Sequence, residues 1–400
     1  MIRSLRIIPV TVWRVLIHSM LIGIGMSFFD VLFNFFLVSM GYAADTVGVL
    51  STVARIAGLV FGIPAGMLID RIGARRALIG AVMLYVVGLT WVVFAPSQLW
   101  LMISQFVVGC AFALLFSALF PLLTMATPHA QQPTVFGLNE AAINTIGLVG
   151  SMLAGWLPSV IAPWLNVDDQ STLAYRSVLL IGIVLLGTSM VPLWGDIAKA
   201  PDTDEHGELL IAEAPQRSTG RIISYGMVDF LIGVGSGTFF PFQSLFFRYQ
   251  FGLTDSTVGT ILAFSGVALG VGAVIIGHRV GQGSLRVWAS VLRILAAPAL
   301  LTMIVPDLWV ALIGYYARAF LIGGSIALSD VLAMRLVNPR QRGFASSIWG
   351  MTWAAGWAIT STLSGLVQTQ YGFTPLLILG AVAYAGSGLA IWYLMVDDAK

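Results

Sequence analysis

Asp30, Arg55 and Arg318 each interrupt a long apolar run, where an ionisable side chain is costly and needs a partner or a task. An aspartate and an arginine at one depth can pair, and such a pair can hold or release a proton as its surroundings change. Asp30 stands 16 residues after Arg14 on one run, and Arg55 stands 15 residues before Asp70 on the next. At about 1.5 Å of rise per helical residue these depths are similar. An Asp30–Arg55 pair is therefore expected, with Asn34 extending the polar face one turn beyond Asp30. Two readings stay open: a static bridge, or a protonatable carboxylate whose pairing changes.

Arg318 shares a helical face with Ser325 and Ser329, which suits contact with an anionic group or a counter-charge for a carboxylate. Gln105, and Gln243 beside Pro241, are further polar candidates. A second cluster has comparable depths: Asp229 eight residues after Arg221, Arg293 seven after Arg286 and Asp330 five before Arg335. These spacings predict an Asp229–Arg293–Asp330 network. Glu140, on one face with Asn144, Gly147 and Ser151, joins it as a candidate for an inner gate. Trp349, Trp353 and Trp357 recur at helical spacing in mid-run, although tryptophan ordinarily favours membrane interfaces. With Phe239, Phe240, Phe242, Phe246 and Phe247 they could form an aromatic wall. Trp353 and Trp357 are the candidates for contact with an apolar, aromatic or cationic molecule.

Other chemistry finds no constellation. His18, His129, His206 and His278 are scattered in loops and near the ends of apolar runs, where His18 and His129 can be solvated. Cys110 is the only cysteine, so no intrachain disulfide or cysteine-based zinc site can form. No GxxxxGK[ST] loop occurs. No metal site, cofactor or enzymatic activity is expected.

The elements that must position these residues are membrane helices. The chain has 400 residues, of which 58% are hydrophobic and 10% charged, against about 25% charged in soluble proteins. Mean hydropathy is +0.92. Apolar stretches fall at about 14–40, 46–69, 77–95, 99–126, 134–161, 174–195, 222–250, 256–278, 286–305, 309–334, 343–368 and 374–395. Each is too long for a buried strand, and backbone groups in hydrocarbon must be satisfied locally, so they read as twelve helical spans. The first run is too long for a signal-peptide core. The acidic connection 196–221 divides the chain into halves 1–195 and 222–400. With the N-terminus inside, 15 of the 20 Lys and Arg residues gather on the inner side, which places both termini and the central connection in the cytoplasm. Trp13, Trp100, Trp164, Trp194, Trp309 and Trp392, near span ends, suit interfacial anchoring. The net charge of +2, without a basic tract, gives no reason to expect a nucleic-acid partner.

The halves are related. At an offset of 211, Phe35-Phe36 falls on Phe246-Phe247, Gly41 on Gly252, Thr46-Val47-Gly48 on Thr257-Val258-Gly259, Gly66 on Gly277, Arg75 on Arg286 and Pro128 on Pro339. Duplicated halves around a central site are a common construction for transporters.

The turn after span 2 reads Gly66, Asp70, Arg71, Gly73, Arg75 and Arg76 at the spacing Gly, three residues, Asp-Arg, one residue, Gly, one residue, two basic residues. With twelve spans and a long central connection, the chain resembles the major facilitator superfamily over nearly its whole length. The resemblance implies an all-α membrane protein: twelve transmembrane helices in two pseudo-symmetric six-helix bundles. It implies that the turn latches the cytoplasmic side with Asp70 facing the start of span 11, and that spans 1, 4, 7 and 10 line a central cavity. Gly66 would let two helices approach closely. In the second half Gly277 and Arg286 recur, but Gly281 replaces the aspartate. Two departures weigh against carrying over proton antiport. Gln105 stands where many drug exporters have an arginine four residues before the glycine, here Gly109. The Gly-Pro motif of span 5 is also missing: Pro158 follows Gly147, Gly150 and Gly155 out of place.

The expected function is a secondary active transporter of the cytoplasmic membrane, working by alternating access and coupled to H⁺, Na⁺ or another solute. Efflux of hydrophobic or amphipathic compounds is favoured by the aromatic residues. Uptake or exchange of a small organic anion is the alternative, favoured by Arg318 and Gln105. A non-transporting receptor or an enzyme on the same scaffold is the remote one. The expected partners are a small-molecule substrate, the coupling ion and membrane lipid, and a monomer is expected.

Overall fold

The computed structural model describes residues 9–127, 132–194, 218–279, 285–337 and 342–395. Among these, eleven helical segments are long and apolar enough to cross a membrane. Spans 1 to 6 are Val10–Ser39, Ala44–Ile72, Ala74–Phe94, Gln98–Ala126, Gln132–Leu165 and Thr172–Thr188, the last prolonged by a tight turn at Val191–Trp194. Span 7 comprises Ser218–Phe239 and Gln243–Phe251, and spans 8, 9 and 10 are Asp255–Arg279, Leu285–Leu301 and Leu308–Leu336. Span 12 is Thr374–Leu394. Span 11, Arg342–Tyr371, has 30 residues and ample length. It is more polar than the others because Thr352, Thr360, Ser361, Thr362 and Ser364 lie along it.

Local chemistry sets several boundaries. Ser171 Oγ accepts from the Ala174 amide at the start of span 6, and Asp307 does the same for Val310 at the start of span 10. Each satisfies a donor that the first helical turn leaves open. Span 7 breaks at Phe240–Phe242, where Pro241 offers no amide hydrogen to an α-helical ladder. The break turns Phe240 and Gln243 out of the register they would hold in a continuous helix. Gly252 ends the span in the left-handed conformation (φ 63°), its amide on the Arg248 carbonyl at 2.9 Å.

The chain forms two compact units, one of residues 1–40 and 56–209 and the other of 41–55 and 210–400. In the first, span 1 packs on spans 5 and 6, and span 3 on spans 4 and 6. In the second, span 7 packs on spans 11 and 12, and span 9 on spans 10 and 12. These four pairings are the same in both, as an internal duplication requires. The start of span 2 groups with the second unit, where it lies on span 11. There Thr52 Oγ1 donates to the Ala358 carbonyl at 2.7 Å, and Thr362 Oγ1 to Thr52 Oγ1 at 2.7 Å. A side chain at Gly48 would collide with the Ser361 carbonyl.

Trp13, Trp100, Trp164, Trp194, Trp309 and Trp392 are all exposed, as lipid-interface anchors must be.

Candidate functional site

The polar residues of the second unit fall into two groups built around two buried arginines. Arg293 in span 9 is the satisfied one. Its Nε donates to Ser325 Oγ at 3.1 Å, Nη1 to Ser387 Oγ at 2.9 Å and Nη2 to Ser329 Oγ at 3.0 Å. Each serine passes its own hydrogen to a backbone carbonyl: Ser325 to Ala289, Ser387 to Val228 and Ser329 to Ile326. The lone pairs thus face the guanidinium and the hydroxyl hydrogens are spent elsewhere, so each of its three nitrogens has an acceptor, for three of its five N–H groups. Asp229 and Asp330 act on its charge through space, and Tyr225 Oη donates to Asp330 at 2.9 Å. The expected Asp229–Arg293–Asp330 network therefore differs in its contacts. The direct partners of Arg293 are three serines, because spans 10 and 12 bring hydroxyls against its helix. Among the described residues neither carboxylate ion-pairs with it. Ser325 and Ser329, expected beside Arg318, serve Arg293 instead. The side chain of Glu140 lies outside the described residues.

Arg318 in span 10 is 2% exposed. Its Nη1 donates to Tyr384 Oη at 3.2 Å. Its carbon centre lies 5.4 Å from the rings of Phe240 and Tyr315 and 6.0 Å from that of Phe239. Its Nε is buried with no acceptor. Tyr315 Oη is turned away, donating to Gln243 Oε1 at 2.7 Å.

Phe240 links this arginine to the tryptophans. Its ring lies 5.8 Å from Trp357, which lies 5.1 Å from Trp353. The Arg55 guanidinium sits over both indoles, at 4.4 Å from Trp357 and 4.9 Å from Trp353. Trp357 Nε1 donates to Ser51 Oγ at 3.0 Å. The second unit therefore holds a continuous run, Arg55–Trp357–Phe240–Arg318. Trp349 is separate from this wall: it is buried, stacks edge-on to Tyr225 at 4.6 Å and donates to the Ile222 carbonyl at 3.0 Å.

In the first unit Asp30 is exposed, while Asn34 and Gln105 are buried. His18, expected to be solvated, is fully buried with Nδ1 on the Ser189 carbonyl at 2.8 Å. Span 6 closes over it there, while His129 lies outside the described residues. In the turn after span 2, Asp70, Arg71 and Arg76 are exposed. Arg75 caps the end of span 6, Nε to the Leu193 carbonyl and Nη2 to the Trp194 carbonyl, both at 2.8 Å. Gly73 has φ 86° and ψ 148°, backbone open in practice to glycine alone. The close approach expected at Gly66 is not made: a Cβ there, as at Gly62, would meet open space among the described residues. One turn before Gly62 and two before Gly66 on span 2 the picture differs: a Cβ at Gly58 would meet the Gly109 carbonyl and Ala113 of span 4.

Sequence reading passed over Tyr315, Tyr384 and Ser387. The signal available was their position as polar groups within apolar spans, which obliges each to find a partner.

The fold and this site define a multi-pass helical membrane protein built from a duplicated half. The chain belongs to the Major Facilitator Superfamily, whose family model matches residues 15–217 and 226–400. It is accordingly a secondary transporter, and membership points to transport rather than catalysis. No curated protein sequence matches it. Among solved structures it is similar to a bacterial homologue of the human lysosomal transporter Spinster, solved inward-facing and occupied. The TM-score is 0.70 at 15% identity, over 96% of this chain and 93% of that one. It is also similar to the nucleoside transporter NupG (TM-score 0.71, 13% identity, 97% and 100% covered). A third is the human organic anion transporter MFSD10 (TETRAN) (TM-score 0.62, 14% identity, 96% and 99% covered). At these identities the likeness is one of fold.

Proposed function

We propose that this transporter moves a small organic solute across the cytoplasmic membrane by alternating access, with both chain ends in the cytoplasm and a proton or other ion gradient as the driving force. The observation that carries the cargo reading is the run Arg55–Trp357–Phe240–Arg318, with contacts of 4.4, 5.8 and 5.4 Å. Aromatic surface offers burial to an apolar body, and two cations mark the ends of the strip. This supports export of hydrophobic or amphipathic compounds. Arg318 supports the second reading, uptake or exchange of a small organic anion, which is also the cargo class named for MFSD10. Asp30 and the Asp229–Asp330 pair are the carboxylates available for coupling, and the Asp70–Arg76 turn is the proposed cytoplasmic latch.

Reconstituted protein, assayed for uptake and efflux of matched acids, amides and amphipathic dyes with and without a pH gradient, tests the proposal. Trp353→Ala should abolish dye export if the aromatic wall governs cargo, and Arg318→Ala should abolish acid movement if the cation does. Movement of none of these compounds, or indifference to both substitutions, would refute the reading.

A further inference from the structure

The second unit contains two arginines buried to almost the same degree, Arg293 at 1% exposure and Arg318 at 2%, and only the first has an acceptor at every nitrogen among the described residues. Arg293 spends all three of its nitrogens on serine oxygens. Arg318 makes one hydrogen bond among the described residues, from Nη1 to Tyr384. It forms no ion pair there, and its buried Nε lacks an acceptor.

The three rings around Arg318 do not cure this. They meet the guanidinium through their π-systems and stabilise its charge, but they present no lone pair to in-plane N–H groups. Tyr384 Oη meets Nη1 only, and Tyr315 Oη, which donates to Gln243 Oε1, makes no hydrogen bond to Arg318 among the described residues, so Nε stays without an acceptor. What remains open is the Nε/Nη2 edge. On that edge two N–H bonds run parallel at the spacing of the two oxygens of a carboxylate. A buried cation left with an open donor edge is unfavourable unless an anion completes it.

We infer that the Nε/Nη2 edge of Arg318 is a fork for the carboxylate of an amphipathic acid, whose apolar body lies along Phe240 and Trp357. The inference rests on the transporter reading above and narrows its two cargo classes to one molecule type, acidic at one end and apolar along the rest. Phe240, whose ring lies 5.4 Å from the Arg318 carbon centre, is half-buried, and the carboxylate reaches Arg318 during the rearrangement that alternating access demands. A phosphate oxyanion, free or on a lipid headgroup, offers related acceptors in tetrahedral rather than planar form.

The full-length protein in nonionic detergent, followed by tryptophan fluorescence, tests this with matched probes: naphthalene-2-acetate and dodecanoate, their primary amides, and dodecyl phosphate. Each is titrated with and without added phosphatidylglycerol. Each acid should bind at least tenfold more tightly than its amide. Arg318→Gln should abolish that preference, acid binding falling at least to the level of amide binding. Should Arg318→Gln fail to fold, Arg318→Lys keeps the charge but not the fork, and the preference should fall at least fivefold. Equal binding of acid and amide by the wild type would overturn the assignment, as would a preference undiminished in either variant. Tighter binding of dodecyl phosphate, or loss of acid binding on adding phosphatidylglycerol, would reassign the edge to phosphate and overturn the carboxylate. Proteoliposome counterflow separates the two claims. Acids carried equally by wild type and Arg318→Gln would leave transport standing and remove this inference. Acid binding that depends on Arg318 without movement across the bilayer would do the opposite.

Discussion

The guanidinium of Arg55 lies 4.4 Å from the ring centre of Trp357, whose indole nitrogen is held by Ser51 one turn earlier on the same helix as Arg55. Span 2 thus grips one tryptophan of span 11 by its face and by its edge. The two contacts fix the indole plane, and with it the ring that Phe240 meets. The pair should show measurable coupling. In a double-mutant cycle of Arg55→Gln and Trp357→Ala, read by thermal unfolding in detergent, about 0.5–2 kcal/mol of interaction energy is expected. Additive effects would show that the contact contributes nothing to stability.

Removing the Arg293 guanidinium leaves three serine oxygens turned towards an empty position and takes the cation away from Asp229 and Asp330. Arg293→Ala should cost about 3–5 kcal/mol. Ser387→Ala removes one acceptor from a charged donor and should cost about 1.5–3 kcal/mol. Melting temperatures of purified protein check both, and the order of the two losses matters more than their size.

At φ 86° and ψ 148°, Gly73 occupies backbone space that a Cβ strains. Gly73→Ala should therefore destabilise the turn between spans 2 and 3 by about 1–3 kcal/mol, although its Cβ would meet open space. Gly66→Ala, a helical position equally open, should be nearly silent in the same melting assay.

Arg75 ties the start of span 3 to the last carbonyls of span 6. Arg75→Gln should fray the turn Val191–Trp194, in which the Leu193 amide bonds to the Met190 carbonyl at 3.0 Å. Hydrogen exchange at Leu193 should accelerate several-fold, with protection elsewhere in span 6 unchanged. Unaltered exchange would leave Arg75 a charge that orients the chain and nothing more.

The proposed orientation has its own check. In a Cys110→Ser background, Asp169→Cys, exposed between spans 5 and 6, should react with an impermeant maleimide added outside intact cells. Labelling only after permeabilisation would invert the topology.

Much of this protein is settled by its sequence alone. The length and apolarity of twelve runs, the acidic connection between halves, the 211-residue repeat and the Gly66-to-Arg76 turn fix the fold, because backbone in hydrocarbon has almost no choice but helix. The presence of arginines inside the spans is legible too, since any such charge stands out against apolar neighbours. Which partner each arginine takes is not. Ser325 and Ser329 share a helix with Arg318 yet bind Arg293 of span 9, and Tyr384 reaches Arg318 from span 12, 66 residues away. A span that is apolar all round gives little sign of which face meets protein and which meets lipid. Periodicity therefore fixed which residues share a face, while the packing of spans 7, 9, 10 and 12 decided which faces met, and so which arginine was satisfied and which was left with an open edge.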